Sequence, residues 1–161
     1  MAIEYFLKLE GIDGESASSK HSKEIEVLSW SWGAHNPTSH HGGGLSAGKV
    51  SVSDITISKP VDKASAKLLE LCCNGKHIKS GTLACQKSTG DKNPADYLTI
   101  KLTEIHISSF QTGGSSGDAV GSESISLAFL KYEYDYKIQN KDGTLTAAGS
   151  ASYDIGLRES S

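Results

Sequence analysis

Ile125-Ser126-Leu127-Ala128-Phe129-Leu130-Lys131-Tyr132-Glu133-Tyr134-Asp135-Tyr136-Lys137-Ile138 reads as one long strand whose apolar residues change face midway. Ile125, Leu127 and Phe129 fall on one side of a period-2 pattern; Leu130, Tyr132, Tyr134, Tyr136 and Ile138 fall on the other. Two further stretches behave alike: Leu98, Ile100 and Leu102 give way to Ile105 and Ile107, and Val50 and Val52 to Ile55 and Ile57. A phase change inside one strand means a bulge, or a strand covered on different faces along its length. Three such strands predict a strongly bent sheet that closes on itself. The fold expected is mainly β, a compact closed barrel of two tightly packed antiparallel sheets.

The flanking segments fit that plan. Ile3, Tyr5, Leu7 and Leu9 alternate with polar residues as a half-buried strand, ended by the turn chemistry of Gly11-Ile12-Asp13-Gly14. A polar stretch from Glu15 to Lys23 precedes a second strand, Ile25 to Gly33, with Leu28, Trp30 and Trp32 on one face and Ser29 and Ser31 on the other. Residues 35–48 show no periodicity, and a loop of that length is usually functional or disordered. Lys49 to Ser58 returns to strand. One flanking helix is expected at about 62–74, with Asp62 as N-cap, a stripe of Ala64, Leu68, Leu71 and Cys72, and Asn74-Gly75 as its stop. Gln111 to Gly121 reads as a Gly/Ser loop, and Asn140-Lys141-Asp142-Gly143 as a hairpin turn.

Composition bounds the rest. At 161 residues the chain fits one domain. Hydrophobic residues make up only 37%, while Gly and Ser together exceed a quarter, so the core is sparse for the length. A net charge of -3 lacks the charge excess typical of disordered chains and offers no basic surface to a nucleic-acid backbone. No run approaches the ~20 apolar residues of a bilayer span, so no membrane insertion is expected. Glu4 and Lys8 interrupt any signal-peptide pattern, which predicts folding in the cytoplasm with Cys72, Cys73 and Cys85 as reduced thiols.

Candidate chemistry is thin. Gly43-x4-Gly48-Lys49-Val50 misses the phosphate-binding loop, because Val50 replaces the Mg²⁺-binding hydroxyl and a strand follows in place of a helix. His35, His40 and His41 are close in sequence, but their loop holds no carboxylate or thiol to complete a metal site. Cys72-Cys73 is vicinal and not Cys-x-x-Cys; on a helix one packs inward and the other lies near the edge. Glu24 and Glu26, like Glu133 and Asp135, alternate as solvent-facing strand residues do, and no nucleophile elbow is present. No catalytic, metal or cofactor site is expected. A reading from another class is a monomeric ligand- or carbohydrate-binding barrel with Trp30 and Trp32 as a stacking platform.

Several short motifs, in order along nearly the whole chain, resemble the Hcp family, the tube-forming proteins of bacterial type VI secretion systems. They are Met1 to Gly14 with Glu15-Ser16, Ile25 to Gly33, the Gly42-Gly43-Gly44 to Lys49-Val50 segment, and Ile57-Ser58-Lys59-Pro60-Val61-Asp62-Lys63-Ala64-Ser65. Gly75-Lys76-His77-Ile78, Tyr97 to Ile100, and Thr112 to Asp118 before Glu123 to Leu127 continue the match. The resemblance implies a closed barrel with a helix at its side. It also implies a homohexameric ring, stacked into a tube that a contractile sheath propels, tipped by a VgrG spike and carrying effector proteins in its lumen. Such a subunit is cytoplasmic first and secreted afterwards without a signal peptide, and no enzymatic activity is expected. Ring closure needs a head-to-tail interface and stacking needs two complementary faces. On that basis the ring or stacking contacts expected are His40, His41, Gly42, Gly43 and Gly44, then Gly90 and Asp91 in the Ser88–Pro94 turn, and Leu157 and Arg158. Ser29 and Ser31 are expected to face the lumen or its cargo.

Overall fold

The computed structural model describes residues 3–88, 94–157 and 159–160. In chain order the elements are β1 (Ile3–Leu9), β2 (Ile25–Val27), β3 (Ser29–Ser31), β4 (Ala34–His35), β5 (Thr38–His41), β6 (Gly44–Ala47) and β7 (Ser51–Val52). Then follow β8 (Ile55–Pro60), α1 (Ser65–Asn74), β9 (Ile78–Lys87), β10 (Ala95–Gly113), β11 (Ser122–Gln139), β12 (Leu145–Asp154) and β13 (Glu159–Ser160).

The long antiparallel pair β10–β11 organises the molecule. Leu98, Ile100 and Leu102 point inward, and so do Ile105 and Ile107, with Glu104 between the two sets at φ 54°. Across the pair, Ile125, Leu127 and Phe129 point inward. Leu102 still faces Tyr132 and Ile105 still faces Phe129, so both strands change face at the same rung, the one holding Glu104 and Leu130. That corner corrects one expectation: Leu130 does not join the tyrosines of its strand but is 49% exposed at the bend. β11 also changes neighbours there. Residues 122–127 pair with β8, and residues 131–139 pair with β12.

Pairing runs β11–β10–β9–β1–β2 along one side, while β3 pairs with β8 and β8 with β11. β2 and β3 are successive pieces of one run, so the strands return on themselves as a nearly closed barrel. The break between them falls at Leu28, which is 61% exposed while its N–H donates to the Ser58 carbonyl. The expected continuous strand with Leu28 on the tryptophan face is thus corrected. Ile25 and Val27 are inward before the break, Trp30 and Trp32 are half-buried after it, and Leu28 is the residue skipped. The core collects Leu7, Leu9, Ile25, Ile55, Ile57, Leu83, Ile100, Ile125 and Leu127 under Leu68 and Leu71 of the helix.

The helix starts later than expected. Ala64, not Asp62, stands at the N-cap, and Gly75 closes the C-terminus in the left-handed region. Asp62 acts one step earlier: its carboxylate accepts the Ala64 N–H at 2.9 Å and pairs with Lys59 at 2.9 Å. Lys59 is fully buried, and its Nζ also meets Glu123 at 2.6 Å and donates to Ser65 Oγ at 3.2 Å. This cluster clamps the start of α1 to paired residues of β8 and β11.

Three further expectations also change. The 35–48 segment is not irregular but an arm of paired strands, β4 with β7 and β5 with β6. Its hairpin turns at Gly42 and Gly43, with φ 61° and 83°, the positive pair that a two-residue type I′ turn requires. It left no alternation in the sequence because its described side chains are exposed on both faces. Lys49 to Ser58 is split at Ser53-Asp54 into β7 and β8, and the Gln111–Gly121 loop shrinks to 114–121 because β10 runs on to Gly113. The hairpin at 140–143 is present, closed by Asn140 N–H to the Thr144 carbonyl and Gly143 N–H to the Asn140 carbonyl.

Candidate functional site

Three surfaces carry the side chains of interest. The first is the arm. It is anchored where the Gly48 N–H donates to the Pro37 carbonyl at 2.6 Å and the Ser53 N–H to the Gly33 carbonyl at 2.9 Å. Beyond that base, β5 and β6 pair only with each other, His40 is exposed, and Leu45 is 67% exposed. A cleft of about 410 Å³ opens at the base, lined in part by Ala34, Lys49, Val50, Tyr132 and Tyr153.

The second surface is a field of hydroxyls on the outer side of the barrel wall. Register places Ser29 opposite Ser58 and Ser58 opposite Ser124, and it places Ser31 opposite Thr56 and Thr56 opposite Ser126. Directly opposed residues share a face, so these rows form a strip three strands wide with no charged residue in it. Thr56 Oγ1 and Ser126 Oγ lie 3.1 Å apart. Ser29 and Ser31, singled out from sequence, are exposed members of this strip. Thr56, Ser58, Ser124 and Ser126 were missed, although they alternate with Ile55, Ile57, Ile125 and Leu127 in plain view.

The third is the C-terminal end. Leu157 is exposed, its N–H held by Asp154 Oδ1 at 2.9 Å, and β13 pairs with the end of β12. Gly90, Asp91 and Arg158 lie outside the described residues.

The tryptophans do not present a platform. Trp32 donates its ring N–H to the Ser53 carbonyl at 2.9 Å and meets Tyr132 and Phe129 edge to face, at centroid distances of 4.8 and 6.0 Å. Trp30 packs edge-on against Tyr5. Both indoles are engaged with protein, which leaves little ring face for a sugar. Among the described residues no group of three His, Cys, Asp or Glu is placed to hold a metal ion. The buried Cys85 thiol is pushed up to about 12, chiefly by burial, so it stays protonated and inert; Cys73, by contrast, is exposed on α1.

The fold and these surfaces define a class first: a β-barrel with a flanking helix, a self-paired arm and an uncharged hydroxyl face. Comparison with known proteins narrows it. Residues 6–136 match the sequence family described as "Type VI secretion system effector, Hcp". The chain is 38% identical over 160 residues to "Protein hcp1" of Pseudomonas aeruginosa, covering 99% of this chain and 98% of that one. A solved "type six secretion system protein" superposes with a TM-score of 0.93 at 30% identity, covering 99% and 100% of the two chains. Hcp1 from Salmonella typhimurium gives 0.80 at 34% identity over the full length of both. The chain belongs to the Hcp family of type VI secretion system proteins.

Proposed function

We propose that this single-domain chain is the repeating unit of a secreted tube, closing into a homohexameric ring that stacks on further rings. The observation that carries this reading is the arm. A two-stranded hairpin exposed on both faces is marginal by itself in water, so it gains stability from a surface that another subunit supplies. In this reading His40, His41 and Gly42 to Gly44 lie at a contact between copies, with Gly90, Asp91, Leu157 and Arg158 on the faces that stack. The strip containing Ser29 and Ser31 lines the lumen, where neutral hydroxyls accept varied effector proteins without selecting for charge. The tube is assembled in the cytoplasm, driven out by the contractile sheath behind a VgrG spike, and needs neither nucleic acid nor membrane insertion. Its role is mechanical and not enzymatic.

Light scattering after size exclusion tests the ring: the intact chain should elute at six times 17.0 kDa. Deleting residues 38–46 should leave a folded barrel by circular dichroism that no longer forms tubes in electron micrographs. A full-length chain that stays monomeric at high concentration would overturn the proposal.

A further inference from the structure

The polar stretch before β2 folds as a strap, residues 14–24, across the outer face of β1, β9 and β10. Its own bonds hold its shape: Gly14 N–H to the Lys23 carbonyl, Ser16 N–H to the Glu24 carbonyl and Lys23 N–H to the Ser16 carbonyl. A small second core forms on this face of the sheet from Phe6, Ser16, His21, Ala84 and Gln86, all buried. His21 is at its centre, 6% exposed, its ring stacked on Phe6 with centroids 4.6 Å apart. Nδ1 lies 2.9 Å from Glu24 Oε2 and Nε2 lies 2.8 Å from Asp96 Oδ1. The charged groups that touch the ring are Glu24 from the strap and Asp96 from β10. On the same face β1 places Glu4 and Lys8 on either side of Phe6, Glu4 opposite Gln86, and the strap itself carries Lys20 and Lys23.

A neutral imidazole donates through one nitrogen, and an ionised carboxylate only accepts. Both contacts are therefore hydrogen bonds at once only when the ring carries two protons. When one proton leaves to solvent, the bare nitrogen lone pair faces a carboxylate lone pair, and that contact must part. A partner stands ready for the released group: Gln86, 3% exposed, is directly opposite Asp96, and its Nε2 is a buried donor with no hydrogen-bond partner among the described residues. We propose that His21 is a proton-operated latch, closing the 14–24 strap onto β10 while doubly protonated and freeing it when the ring becomes neutral. Because Asp96 is the second residue of β10, the latch controls how firmly the start of that strand is tied down.

Hydrogen exchange of the intact chain, read by mass spectrometry across roughly pH 5 to 9 and corrected for intrinsic rates, tests the latch. Protection of peptides covering 14–24 should fall by about tenfold or more relative to β11 as the ring deprotonates, the scale of one lost charge-assisted bond. His21→Gln should give a strap whose protection, high or low, is flat with pH. Asp96→Asn supplies an amide donor to the bare nitrogen, so there too the step should vanish. A wild-type strap indifferent to pH, or the same step surviving in both variants, would overturn the proposal.

Discussion

Lys59→Met removes the cation that, among the described residues, pairs with both Glu123 and Asp62, and its effect can be estimated from the geometry. The ammonium is fully buried and its donors meet Glu123 at 2.6 Å, Asp62 at 2.9 Å and Ser65 at 3.2 Å. Met matches the stem in length and fills its volume, so the loss is chiefly electrostatic. Breaking a buried pair by deleting one partner costs about 3–5 kcal/mol, because the other charge stays desolvated and uncompensated. Against a total stability of roughly 5–15 kcal/mol, that is a large fraction. For a chain of this length it corresponds to a fall in Tm of about 6–20 °C. Thermal or urea unfolding at fixed protein concentration reads it directly. Lys67→Met is the control: its 3.6 Å pair with Glu70 is solvent-exposed on both sides and should change stability by less than about 0.5 kcal/mol. Adding Glu123→Leu to Lys59→Met should cost less than the two single changes together, since the double change removes both charges of the Lys59–Glu123 pair and leaves only Asp62, at the edge of the cluster, without its cation. A Lys59→Met chain within about 1 kcal/mol of the parent would refute the account of the clamp.

Three further outcomes are expected. Cys85 holds its proton up to about 12 in the fold, whereas the unfolded thiol loses it from about 9. Stability from this group is therefore intact below the lower value and falls as pH rises between them; unfolding curves of Cys85→Ala should lack that alkaline decline relative to the parent. A Cβ on Gly48 would stand 2.7 Å from the Pro37 carbonyl oxygen, so Gly48→Ala should raise hydrogen exchange in 38–47 while leaving β10 and β11 protected. Leu45→Asp, on the exposed arm, should leave the melting of the monomeric barrel within about 0.5 kcal/mol but lower the scattering mass if the arm seats on a neighbouring subunit.

The barrel was legible because its walls alternate. Ile125, Leu127 and Phe129 show period 2, and the switch to Ile105 and Ile107 gave away the bend. The detail of the bend was not legible, since nothing in Leu130 distinguishes a corner residue from a core one. Leu28 misled for the same reason: side-chain type says that a residue can be buried, while the ladder decides whether it is. The arm was readable as a long segment of functional interest, but its strand pairing was not, because burial on neither face leaves no periodic trace. The strap was read only as polar, because a satellite core built from Phe6, His21 and Gln86 draws its members from sequence positions 80 residues apart. Ser29 and Ser31 were readable as an outward pair, but the breadth of their strip required the register of β8 and β11.

The corner at Leu130 also sets the order in which the chain can fold. β10 and β11 are joined by a short loop and form the local hairpin from which closure can propagate. β8, by contrast, waits for residues 122–127, and β1 waits for β9, so neither end of the barrel finishes early. During synthesis, Leu7, Ile55 and Ile57 emerge long before the strands that cover them. The nascent chain thus carries exposed β-forming segments until its last third is made, a stage at which association between unfinished copies competes with barrel closure.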